Sequence, residues 1–184
     1  MDAVVVPAFG VGAARARVIG ACFVVLGAAI LIARPFDPAY LPMALACLLI
    51  MAVVVAEDIE KRRARNALVV PGTAAVITLA LVSGWDSGWS ALAGAAAAFA
   101  ILLLIALVGG GRMGMGDVKF GALCGAGAGF GGLFVLLASA FVLGGALAAI
   151  LLLAGIRGRH DTTAFTPYLA LGVLAAWLLN AGPA

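Results

Sequence analysis

Two aspartates, Asp58 and Asp117, stand at the ends of apolar segments, where a carboxylate could do chemistry beside a membrane. Two carboxylates that face each other do not both ionise easily, so one of them keeps a proton. Such a pair can hydrolyse a peptide bond, because the ionised group takes a proton from water while the protonated group polarises the scissile carbonyl. Ionisable groups at membrane depth are costly and usually functional. The pair is therefore the candidate catalytic site of an aspartyl protease.

Each aspartate also has a purely structural interpretation. Asp117 could cap a helix N-terminus, where a carboxylate satisfies free backbone N–H groups and suits the helix dipole. Asp58 could form an ion pair with the Lys and Arg residues that follow it between Lys61 and Arg65. The catalytic interpretation is favoured because the predicted topology places both carboxylates at the same face of the membrane.

Gly114 and Gly116 flank Met115, which lies two positions before Asp117. In the segment Gly114-Met115-Gly116, the backbone can bend without obstruction by side chains. Such a bend could bring Asp117 close to Asp58, or let a substrate strand lie against the chain. We therefore predict a loop at Gly114, Met115 and Gly116 that holds Asp117 in the active site.

The composition places these residues in lipid. Of the 184 residues, 66% are hydrophobic and only 10% are charged, which is more apolar surface than a soluble domain of this size can bury. The basic residues lie in short loops rather than along one face, which gives no case for nucleic acid. The three cysteines, Cys22, Cys47 and Cys124, stand singly, so we expect no metal site, disulfide framework or cofactor.

The apolar runs predict an all-α polytopic membrane protein. A spanning helix needs ~20 apolar residues. The segment 118–155 would be about 57 Å long as one helix, nearly twice the hydrocarbon thickness, so we predict a fold-back near 129–132. The residues 84–89 are predicted to form a turn with Trp85 and Trp89 at the interface. The remaining predicted helices cover 18–33, 40–56, 67–82, 90–108 and 165–179.

The distribution of cations supports a bundle of about seven spans, or six if the segment after Asp117 is re-entrant. With a cytoplasmic N-terminus, ten of the eleven Lys and Arg residues fall in inner loops and only Arg34 falls outside. A six-crossing arrangement without the fold-back would place Arg157 and Arg159 on the wrong side. We expect residues 1–184 to form a single transmembrane domain with no soluble domain.

Three segments of the chain resemble the prepilin peptidases, the type IV leader peptidases of the GxGD aspartyl protease class. The segment 114–120, GMGDVKF, looks like the family's GxGDxK motif, and 58–66, DIEKRRARN, looks like its first motif. The segment 165–172, FTPYLALG, which includes Pro167, is similar to the start of its final helix. The first motif departs from the family pattern, since Ala64 and Arg65 replace the Ile-Pro that often precedes Asn66.

The resemblance implies that Asp58 and Asp117 are the two catalytic aspartates of a leader peptidase. Enzymes of this family remove the short basic leader from pilin-like precursors at the cytoplasmic face of the inner membrane. Larger members carry two CxxC pairs and methylate the new N-terminus, and the sequence contains no such pairs. The resemblance therefore implies a short peptidase without methylation, as in the Flp pilus systems, with pilin-like precursors and membrane lipid as partners. The sequence does not predict an oligomeric state.

Several residues near the aspartates have two interpretations. Lys119 could pair with an acidic group of the substrate or anchor the inner interface. Asn66 could orient Asp58 or cap the third helix, and His160 is expected to be a solvated loop residue.

Two other classes of protein remain as alternatives. A transporter or channel could use inner-face carboxylates, and an assembly subunit could use small residues for packing without any chemistry. Transporters often show inverted repeats and carboxylates nearer the midplane, and we find no repeat here.

Overall fold

The computed structural model of the chain describes residues 13–33, 38–61, 66–109, 113–155 and 165–179. Within these ranges the regular structure is helical and contains no strand, which confirms the predicted all-α class but not the predicted count of about seven spans. A short 3-10 turn, Pro38–Tyr40, precedes the second helix. The six α-helices are α1 (Ala13–Ala33), α2 (Leu41–Lys61), α3 (Asn66–Ser83), α4 (Trp85–Val108), α5 (Met115–Leu153) and α6 (Thr166–Leu178).

The helices identify a membrane protein. Four described stretches are long and apolar enough to cross a bilayer: Ala14–Ala33, Pro38–Glu60, Trp85–Val108 and Met115–Leu153. The apolar parts of α3 and α6, Ala67–Ser83 and Thr166–Leu178, are shorter. Large apolar side chains cover much of the outer surface, while Met43, Leu48, Met51, Phe120 and Trp177 fill the interior between the helices.

Two predicted boundaries were wrong. The segment 84–89 is not a turn, because α4 already begins at Trp85 and only Gly84, with extended backbone, separates it from α3. Asp86 in the first turn suits the helix dipole, and the rings of Trp85 and Trp89 pack edge to face at 5.9 Å, one turn apart. The helix α2 does not stop at residue 56 but continues to Lys61, so Asp58 lies within its last turn.

The fold-back predicted for the long apolar segment is found at Gly129. This residue has φ 69° and ψ 173°, a conformation that is open essentially only to glycine. It divides α5 into two parts, which we call α5a (115–128) and α5b (130–153).

The contacts of α6 show that α5a and α5b run in opposite directions. The start of α6 lies beside the start of α5a and its end lies beside the end of α5a, so these two helices are parallel. Along α5b the order of contacts is reversed. The contacts are Thr166 with Asp117 and Trp177 with Gly127 for α5a, and Gly172 with Leu136 and Phe165 with Phe141 for α5b.

Side chains from α4 and α6 bind the backbone groups near the reversal. The N–H of Phe130 donates to Oγ of Ser90 at 3.1 Å. The indole Nε1–H of Trp177 donates to the carbonyl of Gly127 at 2.9 Å in a buried position. In an apolar surrounding an unsatisfied backbone group costs several kcal/mol, so these two bonds offset part of the cost of breaking the helix here.

Small residues allow α4 to lie directly against α5a. A Cβ atom added to Gly94 would collide with the carbonyl of Gly125 and the backbone of Gly129. A Cβ atom added to Gly125 would collide with the carbonyl of Gly94 and with Ala98. This close approach is typical of helix pairs in membranes, where van der Waals packing replaces the hydrophobic effect between helices.

One end of the bundle collects the polar groups. Because α1 and α2 are antiparallel, with Gly20 beside Ala52 and Gly27 beside Leu48, the start of α1 lies at the end of α2. The starts of α3, α5a and α6 lie at this same end. We call it the active-site end.

Candidate active site

The last turn of α2 carries Asp58 into the protein interior. The side chain is only 6% exposed, although it lies near the helix end. Its Oδ2 atom is buried and has no hydrogen-bond partner among the described residues. A buried carboxylate oxygen without a partner is energetically unfavourable.

The first turn of α5 carries Asp117. Gly114 is the N-cap residue and contributes no side-chain cap, so Asp117 is the third helical residue and not the cap itself. Its Oδ1 accepts a hydrogen bond from the hydroxyl of Thr166 at 3.0 Å. The backbone N–H groups of Gly114 and Thr166 lie close enough to stabilise its charge. The prediction that Asp117 itself is the cap is therefore wrong, although its place in the first turn suits the helix dipole.

The two aspartates meet at the active-site end. They come from different helices, 59 positions apart in the sequence, and are close enough for an electrostatic interaction between their side chains. Two neighbouring carboxylates can share one proton, the arrangement that general acid–base hydrolysis requires. We refer to Asp58 and Asp117 together as the carboxylate pair.

We predicted a loop at Gly114, Met115 and Gly116. Most of this segment is helical instead. Only Gly114 precedes the helix, in extended conformation, while Met115 and Gly116 form the first turn of α5. The N–H of Asp117 and that of Val118 both donate to the carbonyl of Gly114. Gly114 takes the cap position with φ −72° and ψ 144°, angles that any residue can adopt, so the bend predicted from glycine's freedom is not used here.

Lys119 lies on a different side of α5a from Asp117. It lines an apolar groove of about 420 Å³ between α3, α4 and α5a, together with Val69, Thr73, Ile77 and Phe99. Asp117, two residues earlier, instead contacts the start of α6. Pairing of Lys119 with a substrate carboxylate stays a prediction.

The other predicted site residues are only partly described. Asn66 begins α3, but its side chain lies outside the described part of the structure. Pro167 occupies the first turn of α6, where the missing N–H costs nothing. The cations Arg62 to Arg65, and also Arg112, Arg157, Arg159 and His160, lie outside the described residues.

The contribution of Thr166 was not predicted. Its hydroxyl and its backbone N–H both reach Asp117, and its side chain is fully buried. The sequence feature that could have indicated this role is a threonine next to a proline at the start of an otherwise apolar helix. A buried hydroxyl there needs a hydrogen-bond partner.

The described residues contain no group of three or more His, Cys, Asp or Glu side chains that could hold a metal ion. The chemistry that the described site offers is that of the carboxylate pair, with α6 supplying donors to one member.

Residues 43–149, more than half of the chain, match the model of the type IV leader peptidase family. No curated protein and no solved structure matches the chain. The match spans both Asp58 and Asp117, and the chain belongs to the type IV leader peptidase family.

Proposed function

We propose that the protein is a membrane aspartic endopeptidase that removes the basic leader from type IV pilin-like precursors, most specifically those of the Flp type. The observation that carries the proposal is the meeting of Asp58 and Asp117 at one end of the helix bundle, within electrostatic reach of each other. Membership in the leader peptidase family supports the same reaction class.

In the proposed reaction, one aspartate is ionised and the other holds a proton. The ionised carboxylate takes a proton from a water molecule, and the resulting hydroxide attacks the scissile carbonyl. The protonated carboxyl group donates a hydrogen bond to that carbonyl oxygen as it becomes negative. Collapse of the tetrahedral intermediate breaks the C–N bond and returns a proton to the leaving amine.

The proposed topology has seven crossings, a cytoplasmic N-terminus and an active site near the cytoplasmic face of the inner membrane. It is supported by the opposite directions of α5a and α5b and by the cations of the inner loops. In this arrangement a precursor presents its cytoplasmic leader at the active-site end while its apolar helix stays in lipid.

The test is cleavage of a co-expressed pilin-like precursor, followed as a gel shift. We expect Asp58→Asn and Asp117→Asn each to lower the rate by at least about 100-fold, because each removes one partner of the acid–base pair. Asp86→Asn is the matched control, since it removes an exposed carboxylate at the opposite end of the bundle. Undiminished cleavage by either site variant, at equal membrane levels, would exclude that aspartate from the reaction.

We also propose that the protein does not methylate the new N-terminus, since its cysteines stand singly and form no CxxC pair. Mass spectrometry of the processed precursor checks this. A mass increase of one methyl group, produced by the purified protein with a methyl donor, would show the proposal to be wrong.

A further inference from the structure

The hydroxyl of Thr166 donates its hydrogen bond to a neighbouring helix rather than to its own helix. Thr166 is the first residue of α6, and the preceding N-cap residue, Phe165, provides no side-chain hydrogen bond to the helix. The Thr166 side chain is 0% exposed, so its hydroxyl cannot rely on bulk water. Its acceptor is Oδ1 of Asp117, at 3.0 Å.

The start of α6 provides two of the groups that hold Asp117. The hydroxyl of Thr166 donates to the carboxylate, and the backbone N–H groups of Thr166 and Gly114 lie close enough to stabilise its charge. Positive partial charge at both helix N-termini adds to this stabilisation. The orientation of the Asp117 carboxylate is thus fixed by two helices that are distant in the sequence.

Packing along α6 keeps Thr166 at this position. Trp177, three turns later, donates its buried indole N–H to Gly127 of α5a. Gly172 lies directly against the backbone of Leu136 in α5b, and the ring of Phe165 packs on Phe141 at 5.2 Å. Because α6 is fixed against both parts of α5, its first turn cannot shift away from Asp117 without breaking these contacts.

We propose that Thr166 is a positioning residue for peptide hydrolysis, which acts by holding the Asp117 carboxylate in its reactive orientation toward Asp58. The inference rests on the proposed function of the carboxylate pair. The physical reason is that a preorganised hydrogen bond to an acid–base group removes the need for reorientation during the reaction.

Two substitutions of Thr166 separate this role from simple packing. Thr166→Val keeps the branched shape and removes the hydroxyl, whereas Thr166→Ser keeps the hydroxyl and removes the methyl group. With a purified pilin-like precursor in detergent micelles, we expect the valine variant to lose at least about tenfold in kcat with little change in KM. The serine variant should recover most of that loss, although its packing is poorer.

Two results would overturn the inference. One is a valine variant with the kcat of the wild type. The other is a serine variant that loses as much kcat as the valine variant, because packing rather than the hydroxyl would then be responsible. Rates are compared at equal amounts of folded protein, measured by size-exclusion chromatography and thermal unfolding.

Asp58→Asn and Asp117→Asn in the same assay distinguish failure of this inference from failure of the proposed function. If the wild type does not cleave the precursor, or if either asparagine variant cleaves it normally, the proposed function fails and the role of Thr166 fails with it. If both aspartates are required and Thr166→Val is fully active, only the positioning role is wrong.

Discussion

The two aspartates of the carboxylate pair have unequal surroundings. Asp117 accepts a hydrogen bond from the Thr166 side chain, whereas Oδ2 of Asp58 has no partner in the described part of the chain. Asp117 therefore also contributes to the connection between α5a and α6.

This difference predicts unequal effects on stability. Asp117→Asn should lower the free energy of unfolding by about 0.5–1.5 kcal/mol, because its amide oxygen accepts the Thr166 hydroxyl more weakly than a carboxylate oxygen does and its NH₂ group cannot accept at all. Asp58→Asn should change stability by less, since its Oδ2 makes no hydrogen bond within the described residues. Thermal unfolding in one detergent, with Asp86→Asn as a surface control, measures both. Equal destabilisation by the two site variants would contradict the described geometry.

The candidate site could be predicted from the sequence only in part. The apolar segments predict that Asp58 and Asp117 lie at the same depth, and the structure brings the two side chains within electrostatic reach of each other. Their catalytic role stays a prediction. The role of Thr166 could not be predicted in this way. Thr166 lies 49 positions from Asp117, and nothing local in the sequence indicates which helix start faces which carboxylate.

The helix pair α4 and α5a depends on backbone-to-backbone approach. Gly125→Ala should destabilise the protein by about 1–3 kcal/mol, because the new methyl group meets the carbonyl of Gly94 and the side chain of Ala98. Gly145→Ala is the matched control, since its Cβ atom would enter open space. Both substitutions gain the same helix propensity, so the difference in unfolding temperature isolates the steric conflict. An identical temperature for the two variants would contradict it.

The reversal within α5 depends on donors from its neighbours. Trp177→Phe keeps the buried ring but removes the N–H that binds the Gly127 carbonyl. We expect a loss of about 1–3 kcal/mol, the cost of leaving a buried acceptor unsatisfied. Leu178, which is exposed, provides the control as Leu178→Ala. Unfolding curves measured in one detergent compare the two, and a phenylalanine variant as stable as the wild type would show that this bond is not required.

For the helices, the length of an apolar segment predicted the structure better than the presence of turn-forming residue types did. The apolar segment 118–155 was too long for one span, so a fold-back was required and its region could be predicted. Five of the residues from 125 to 132 are glycines, and local sequence does not show that Gly129 in particular takes the positive φ. The residues Gly84 to Trp89 contain turn-forming types, but packing and the helix dipole extend α4 to Trp85.

For the whole molecule, the direction of α6 gives a testable topology. Because α6 is parallel to α5a, it starts at the active-site end and leaves the bundle at the opposite end. Alkaline phosphatase fused after Ala184 should therefore be active, as this enzyme requires export from the cytoplasm. Fusion of the same enzyme after Gly155 should be inactive. The reverse pattern would exclude a cytoplasmic N-terminus, and equal activity of the two fusions would show that α6 does not cross the membrane.

The helices that hold Asp117 are short for a bilayer. At 1.5 Å per residue, α5a is about 21 Å long and α6 with its 13 residues is about 20 Å long, whereas the hydrocarbon layer measures ~30 Å. Most residues of both helices are buried against other helices rather than exposed to lipid, so the shortfall lies inside the bundle. We expect it to leave room for a water-filled recess at the carboxylate pair, which would give a hydrolytic enzyme access to water without a long aqueous channel.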